Sequence, residues 1–173
     1  MSAAAQPVTD AFIGSSRTWV VDAIFKWAPH GNPTVHALKV QGEYLRRTET
    51  GSLAFDTLGA NLVGDYRSTQ SGWYLQSVYQ FRPRWRAGLR YDALDAGSTR
   101  IGMVADGQLS AANFPLLAGA SPRRVTGMVD WSLSEFSRLR VQLAFDEARA
   151  TGRDRQLFLQ YLYSIGAHGA HKF

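Results

Sequence analysis

The side chains with the capacity to do chemistry are few in type, and arginine dominates them. Arg86 and Arg90, Arg138 and Arg140, and Arg124 with Asp130 stand at even spacings in segments whose odd positions are apolar. Residues two apart share a face of an extended strand, so each segment presents its charges on one side. A wall of such segments would converge them on one cavity. Arginine and lysine set in a low-dielectric wall raise the local concentration of anions, which predicts a modest preference for anionic solutes. The alternative is that Asp92, Asp130 and Asp146 neutralise these arginines across strands and only brace the wall.

Other chemistries find less support. His168 and His171 are three apart, so a strand points them to opposite faces and they cannot chelate one ion. His30 lies in a turn and His36 at a strand start, and neither has a companion ligand. Cys is absent, which removes thiol catalysis, disulfides and cysteine zinc sites. A barrel hydrolase would need a serine beside a histidine. Ser77 has only His36 near it in sequence, and no nucleophile elbow is present. The expectation is therefore no catalytic residue, no metal and no cofactor.

The elements that must position the charged residues alternate with period two. Trp19, Val21, Ala23, Phe25 and Trp27 alternate with Thr18, Val20, Asp22, Ile24 and Lys26. Leu38, Val40, Gly42 and Tyr44 alternate with Lys39, Gln41 and Glu43. Trp73, Leu75, Ser77, Tyr79 and Phe81 oppose Tyr74, Gln76, Val78 and Gln80. Ala87, Leu89 and Tyr91 oppose Arg86, Arg90 and Asp92. Val125, Gly127, Val129 and Trp131 oppose Arg124, Thr126, Met128 and Asp130. Leu139, Val141, Leu143 and Phe145 oppose Arg138, Arg140, Gln142 and Asp146. Last, Leu157, Leu159, Tyr161, Tyr163 and Ile165 oppose Phe158, Gln160 and Leu162. The charged and amide residues of these second faces are the candidate lumen lining: Asp22 and Lys26; Lys39, Gln41 and Glu43; Arg86, Arg90 and Asp92; Arg124 and Asp130; Arg138, Arg140, Gln142 and Asp146; and Gln160.

Length and composition agree with one all-β domain. The 173 residues are 45% apolar and 19% charged, outside the range of disordered chains. Mean hydropathy is −0.21, and no apolar run is long enough for a transmembrane helix. Barrel strands escape that test because they alternate. The formal charge of +5 comes from scattered arginines, not a basic stripe, which argues against nucleic acid.

Short connections (29–33, 82–84 and 134–137) alternate with longer polar ones (48–71, 94–122 and 147–155), the asymmetry of an outer-membrane barrel. Trp27, Phe81, Trp85, Trp131, Phe136 and Phe173 fall at the short-turn end. Trp19, Tyr44, Trp73, Tyr91 and Phe145 fall towards the other. Two aromatic girdles bounding an apolar band suit a bilayer. A soluble sandwich or lipocalin-like barrel also alternates, but its core would have to absorb five Trp. Phe114-Pro115-Leu116-Leu117 in the 94–122 loop is a candidate constriction, or else packs on the rim.

Seven strands is an odd count, whereas complete bacterial barrels have even ones. The segment 8–13 is too short to supply an eighth. No signal peptide is visible. The expectation is an antiparallel up-and-down transmembrane β-barrel of about seven strands over 17–173, incomplete as given, with 1–16 as a loop remnant.

The chain also resembles the C-terminal region of Gram-negative outer-membrane porin-like and TonB-dependent-receptor-like β-barrel proteins. The resemblance runs through Arg17-Thr18-Trp19, Phe25-Lys26-Trp27-Ala28-Pro29 and Gln41-Gly42-Glu43-Tyr44. It continues through the stretch from Tyr66 to Tyr74, Tyr79-Gln80-Phe81, Arg90-Tyr91-Asp92, Glu135 to Arg140 and Leu157 to Tyr161, and ends on the 166–173 tail. It implies an outer-membrane β-barrel and so a bacterial outer-membrane location. With the polar lumen face and no catalytic constellation, the expectation is a porin-like channel for small solutes and no enzymatic activity. A structural or adhesin barrel, and less directly a lipid hydrolase, are the alternatives. Implied partners are outer-membrane lipid, small solutes and the barrel-assembly machinery. Tyr161, Tyr163, Ile165 and Phe173 resemble the signal that this machinery reads. A homo-oligomer is compatible with these residues, and no plug domain is visible for a TonB-dependent mechanism.

Overall fold

A computed structural model of the chain describes residues 9–117, 119–149 and 152–165. Seven antiparallel strands form one open sheet in chain order. They are β1 (Ala11–Trp27), β2 (Ala37–Phe55), β3 (Leu62–Arg82), β4 (Trp85–Ile101), β5 (Arg123–Ser132), β6 (Ser137–Arg149) and β7 (Gly152–Tyr163). A single-turn helix, α1 (Gly102–Ala105), and short 3₁₀ turns fill the connections.

The chain divides into two compact units. One takes the described residues within 22–43, 73–93 and 122–165. Here the alternation becomes rows across the sheet. Trp85, Trp131, Leu139 and Tyr161 are directly opposed in sequence of strands, as are Ala87, Val129, Val141 and Leu159. The next row is Leu89, Gly127, Leu143 and Leu157. These side chains are exposed: Leu89 at 60%, Leu143 at 51% and Leu159 at 75%. The opposite face holds this unit's buried residues, with Asp130 and Ala144 at 1%. Polarity is therefore inverted relative to a sheet that packs an apolar core against water.

Turn chemistry fixes the register. Residues 83–84 join β3 to β4, with proline first and Arg84 at φ +69°, the pattern of a type II turn. Arg84 then holds the neighbouring hairpin: its carbonyl accepts from the Ser132 N–H at 2.8 Å, and its Nη1 donates to the Leu133 carbonyl at 3.3 Å. In the β5–β6 turn the Ser134 and Ser137 hydroxyls bond at 2.8 Å.

The other unit takes the described residues within 9–21, 44–72 and 94–121, and it has an apolar core. Leu53, Tyr66, Met103 and Phe114 are buried together, flanked by Phe55, Leu62, Ile101 and Val104. Phe114 stands edge-on to Phe55 at 5.4 Å. Phe114, expected either to constrict the lumen or to pack on the rim, is buried in this core. Gly64 permits this packing, since a Cβ there would lie 2.9 Å from Met103 Cγ.

Several boundaries differ from the sequence reading. Residues 11–16 are the start of β1, not a loop; Arg47 Nε donates to the Ser16 hydroxyl at 3.1 Å. The expected loop 48–71 shrinks to 56–61, because β2 continues to Phe55 and β3 begins at Leu62. In the 94–122 loop, 94–101 is strand, and in the 147–155 loop, 147–149 and 152–155 are strand. Ladder hydrogen bonds need no side-chain alternation, so strands whose two faces are both polar are invisible to a period-two search. The short-turn and long-loop asymmetry thus survives only in 102–122.

A phase slip adds to this. Even-numbered Gln76 and Ser68 of β3 contact even Arg90 but odd Thr99 of β4. Gly97 lies between them at φ +60°, where a Cβ would overlap the Thr69 carbonyl. One residue slipped at a positive-φ glycine is the signature of a bulge.

Candidate functional site

The unit carrying the apolar rows holds a half-open cavity of about 560 Å³. β1 supplies Lys26, β2 Lys39, β4 Arg86, β5 Asp130, and β6 Arg138 and Arg140. All six are sequence-predicted lumen residues. Register explains the convergence: Arg86, Asp130 and Arg140 lie in one row across β4, β5 and β6, and Arg138 lies two residues from Arg140, on the same face.

Asp130 is the centre of the cluster and is almost fully buried. Arg140 donates from Nε to Oδ1 at 2.7 Å and from Nη2 to Oδ2 at 3.0 Å, a bidentate charge-assisted pair. Arg138 Nη1 and Arg86 Nη2 stand 3.6 Å and 3.8 Å from Oδ2, within ion-pair range but too far to hydrogen-bond. Arg138 Nε is buried with no acceptor. The cavity lining thus holds three guanidiniums and two ammoniums with one carboxylate, a formal excess of four positive charges.

The other two predicted lumen arginines, Arg90 and Arg124, are each paired with an aspartate. Arg90 pairs with Asp92 at 2.6 Å, reaches Gln76 at 3.5 Å and lies 3.9 Å over the Tyr74 ring. Arg124 pairs with Asp146 at 3.5 Å and donates to Gln156 at 3.1 Å. Arg90 and Arg124 are thus each matched by an aspartate, whereas the lining around Asp130 keeps an excess of positive charge. Asp22, Gln41 and Glu43 do not line the cavity. Gln142 sits in the Met128–Phe158 row, and Gln160 opposes Arg140 in register.

The aromatic residues sort by unit. Trp85 and Trp131 stack at 5.8 Å, and Trp73 and Tyr91 meet at 5.2 Å. Phe145 opposes Val125, itself opposite Tyr91. Trp27, expected only at the interface, also lines the cavity. Phe81 is the penultimate residue of β3, and Phe136 sits in the β5–β6 turn, its carbonyl accepting from the Ser164 N–H at 2.8 Å. Trp19 and Tyr44 belong to the other unit. Tyr161 and Tyr163 stack at 6.3 Å near the end of β7, with exposed Ile165 just beyond. Phe173, His168 and His171 lie outside the described residues.

Three glutamines were absent from the sequence-derived site: Gln76, Gln156 and Gln80. Gln80 Nε2 donates to the carbonyls of Pro33 at 3.2 Å and Thr34 at 2.6 Å. Gln76 and Gln80 share the parity of the cavity face, the one signal that marks them. His36 stacks on Tyr79 at 6.3 Å.

No family model and no solved structure matches the chain. A curated relative from Aquifex aeolicus (strain VF5), described as an uncharacterized protein, is 28% identical over 170 residues. The match covers 94% of this chain and 32% of the relative, so the chain spans about a third of that protein's length.

Proposed function

We propose that these strands form the wall of an outer-membrane β-barrel that passes small solutes, with a slight preference for anions. The observation that carries this reading is the inverted polarity: rows of leucine, valine and aromatic residues outside, and a buried carboxylate with its arginines on the other face. A hydrocarbon solvent accounts for that distribution where water does not. The 10 residues of β5 match the 9–11 that a tilted spanning strand requires. The excess positive charge beside Asp130 supplies the anion preference. The reading names no catalytic residue.

The test is planar-bilayer recording on the reconstituted full chain across a KCl gradient. Discrete conductance with a reversal potential displaced towards chloride is the expected result. Folded, inserted protein without conductance would transfer the reading to a structural or adhesin barrel. The packed Leu53–Phe114 core gives that alternative a rigid surface to present.

A further inference from the structure

We infer that the cavity beside Asp130 is a binding site for an organic phosphate, a refinement that rests on the anion-passage reading. The cluster holds more cationic donors than its own carboxylate can use. Arg140 occupies both Asp130 oxygens, while Arg86 and Arg138 remain beyond hydrogen-bond reach of them. Each guanidinium carries five N–H donors and no acceptor, and Arg138 Nε is buried without a partner. Lys26 and Lys39 make no ion pair with a described residue. An acceptor-rich anion would satisfy these donors and offset their mutual repulsion.

Charge and shape select within the anions. A phosphate monoester brings about −1.5 to −2 charges at neutral pH and three strong acceptor oxygens, whereas a carboxylate brings one charge and two oxygens. The arginine fork matches phosphate bidentately. The volume of about 560 Å³ is that of a small-molecule pocket, not of an ion cage. The rest of its lining is mostly apolar, with Trp27, Pro33, Leu38, Val78 and Met128 beside the amides of Gln76 and Gln80. The phosphoryl group is placed on the Arg86 and Arg138 side, with the two lysines supporting it and the organic body against the apolar lining.

The experiment is isothermal titration of the full chain folded in detergent, with phenyl phosphate, inorganic phosphate and phenol as probes. Phenyl phosphate is expected to bind saturably and more tightly than inorganic phosphate, and phenol not to saturate. The Arg86→Gln/Arg138→Gln double variant should bind phenyl phosphate at least ten-fold more weakly. Lys39→Gln, which breaks no internal ion pair, should weaken it several-fold and carries the test if the double variant does not fold. No saturable phosphate binding, equal affinity for the two phosphates, or binding unchanged in the folded variants would overturn the assignment. Titration in detergent requires no conductance, so the two readings fail separately. Absent binding with an anion-shifted reversal potential removes the site alone; binding without conductance removes the transport reading alone.

Discussion

Arg140 grips both oxygens of the Asp130 carboxylate across directly opposed positions of β5 and β6. Asp130 is buried and Arg140 half-buried, and two further guanidiniums stand beside the carboxylate, so the two members are not equivalent. Removing Asp130 leaves Arg86, Arg138 and Arg140 repelling one another; removing Arg140 leaves Asp130 two nearby cations. Asp130→Ala should therefore destabilise the folded chain by about 3–5 kcal/mol, and Arg140→Gln by clearly less. Urea midpoints in detergent measure both, and equal losses would mean that Arg86 and Arg138 do not share the carboxylate.

Leu143 and Gln142 are neighbours in sequence on opposite faces of β6, one in the exposed leucine row and the other beside Met128. Leu143→Arg should cost about 2–4 kcal/mol of assembly near a bilayer midplane, while Gln142→Arg should cost little. Folding yield into lipid vesicles distinguishes them. Similar mild effects would invalidate the assignment of lipid and lumen faces.

Alternation was legible in β5 and β6 because Val125 sits between Arg124 and Thr126, Leu139 between Arg138 and Arg140, and Val141 between Arg140 and Gln142. Parity alone puts Arg138 and Arg140 on the polar face of β6 and Asp130 on that of β5. It did not select partners: whether Asp130 meets Arg140 depends on a register set by the 134–137 turn, and several offsets preserve the parity. Nor did it reveal the polar extensions of β2 and β3, where Thr48-Glu49-Thr50 is followed by Gly51 and no apolar face is needed. Gly97 broke the remaining pattern in β4 by shifting its phase. The Leu53–Phe114 core joins residues far apart in sequence, and a local period cannot find it.

That core should be a separately breakable part. Phe114→Ala removes a ring packed against Phe55 in a cluster wholly within one compact unit, at a cost of about 3–5 kcal/mol. Local opening responds to such a loss without global unfolding. Limited proteolysis should cut within 102–117 much faster, while the apolar strands stay protected. Protection lost uniformly would show that the two units unfold together.

Charge location also predicts how selectivity responds to salt. The Debye length falls from about 10 Å at 0.1 M to about 3 Å at 1 M, so a preference produced by the Asp130 cluster should decline as KCl is raised over that range. Lys39→Gln removes one excess charge and should reduce the chloride-to-potassium permeability ratio at 0.1 M. Arg90→Gln combined with Asp92→Asn removes a pair already matched at 2.6 Å and should leave the ratio unchanged. Reversal potentials under a fixed gradient compare the two variants directly. A larger effect from the Arg90/Asp92 replacement than from Lys39→Gln would move the selective region away from the cavity and towards the tyrosine-stacked Arg90.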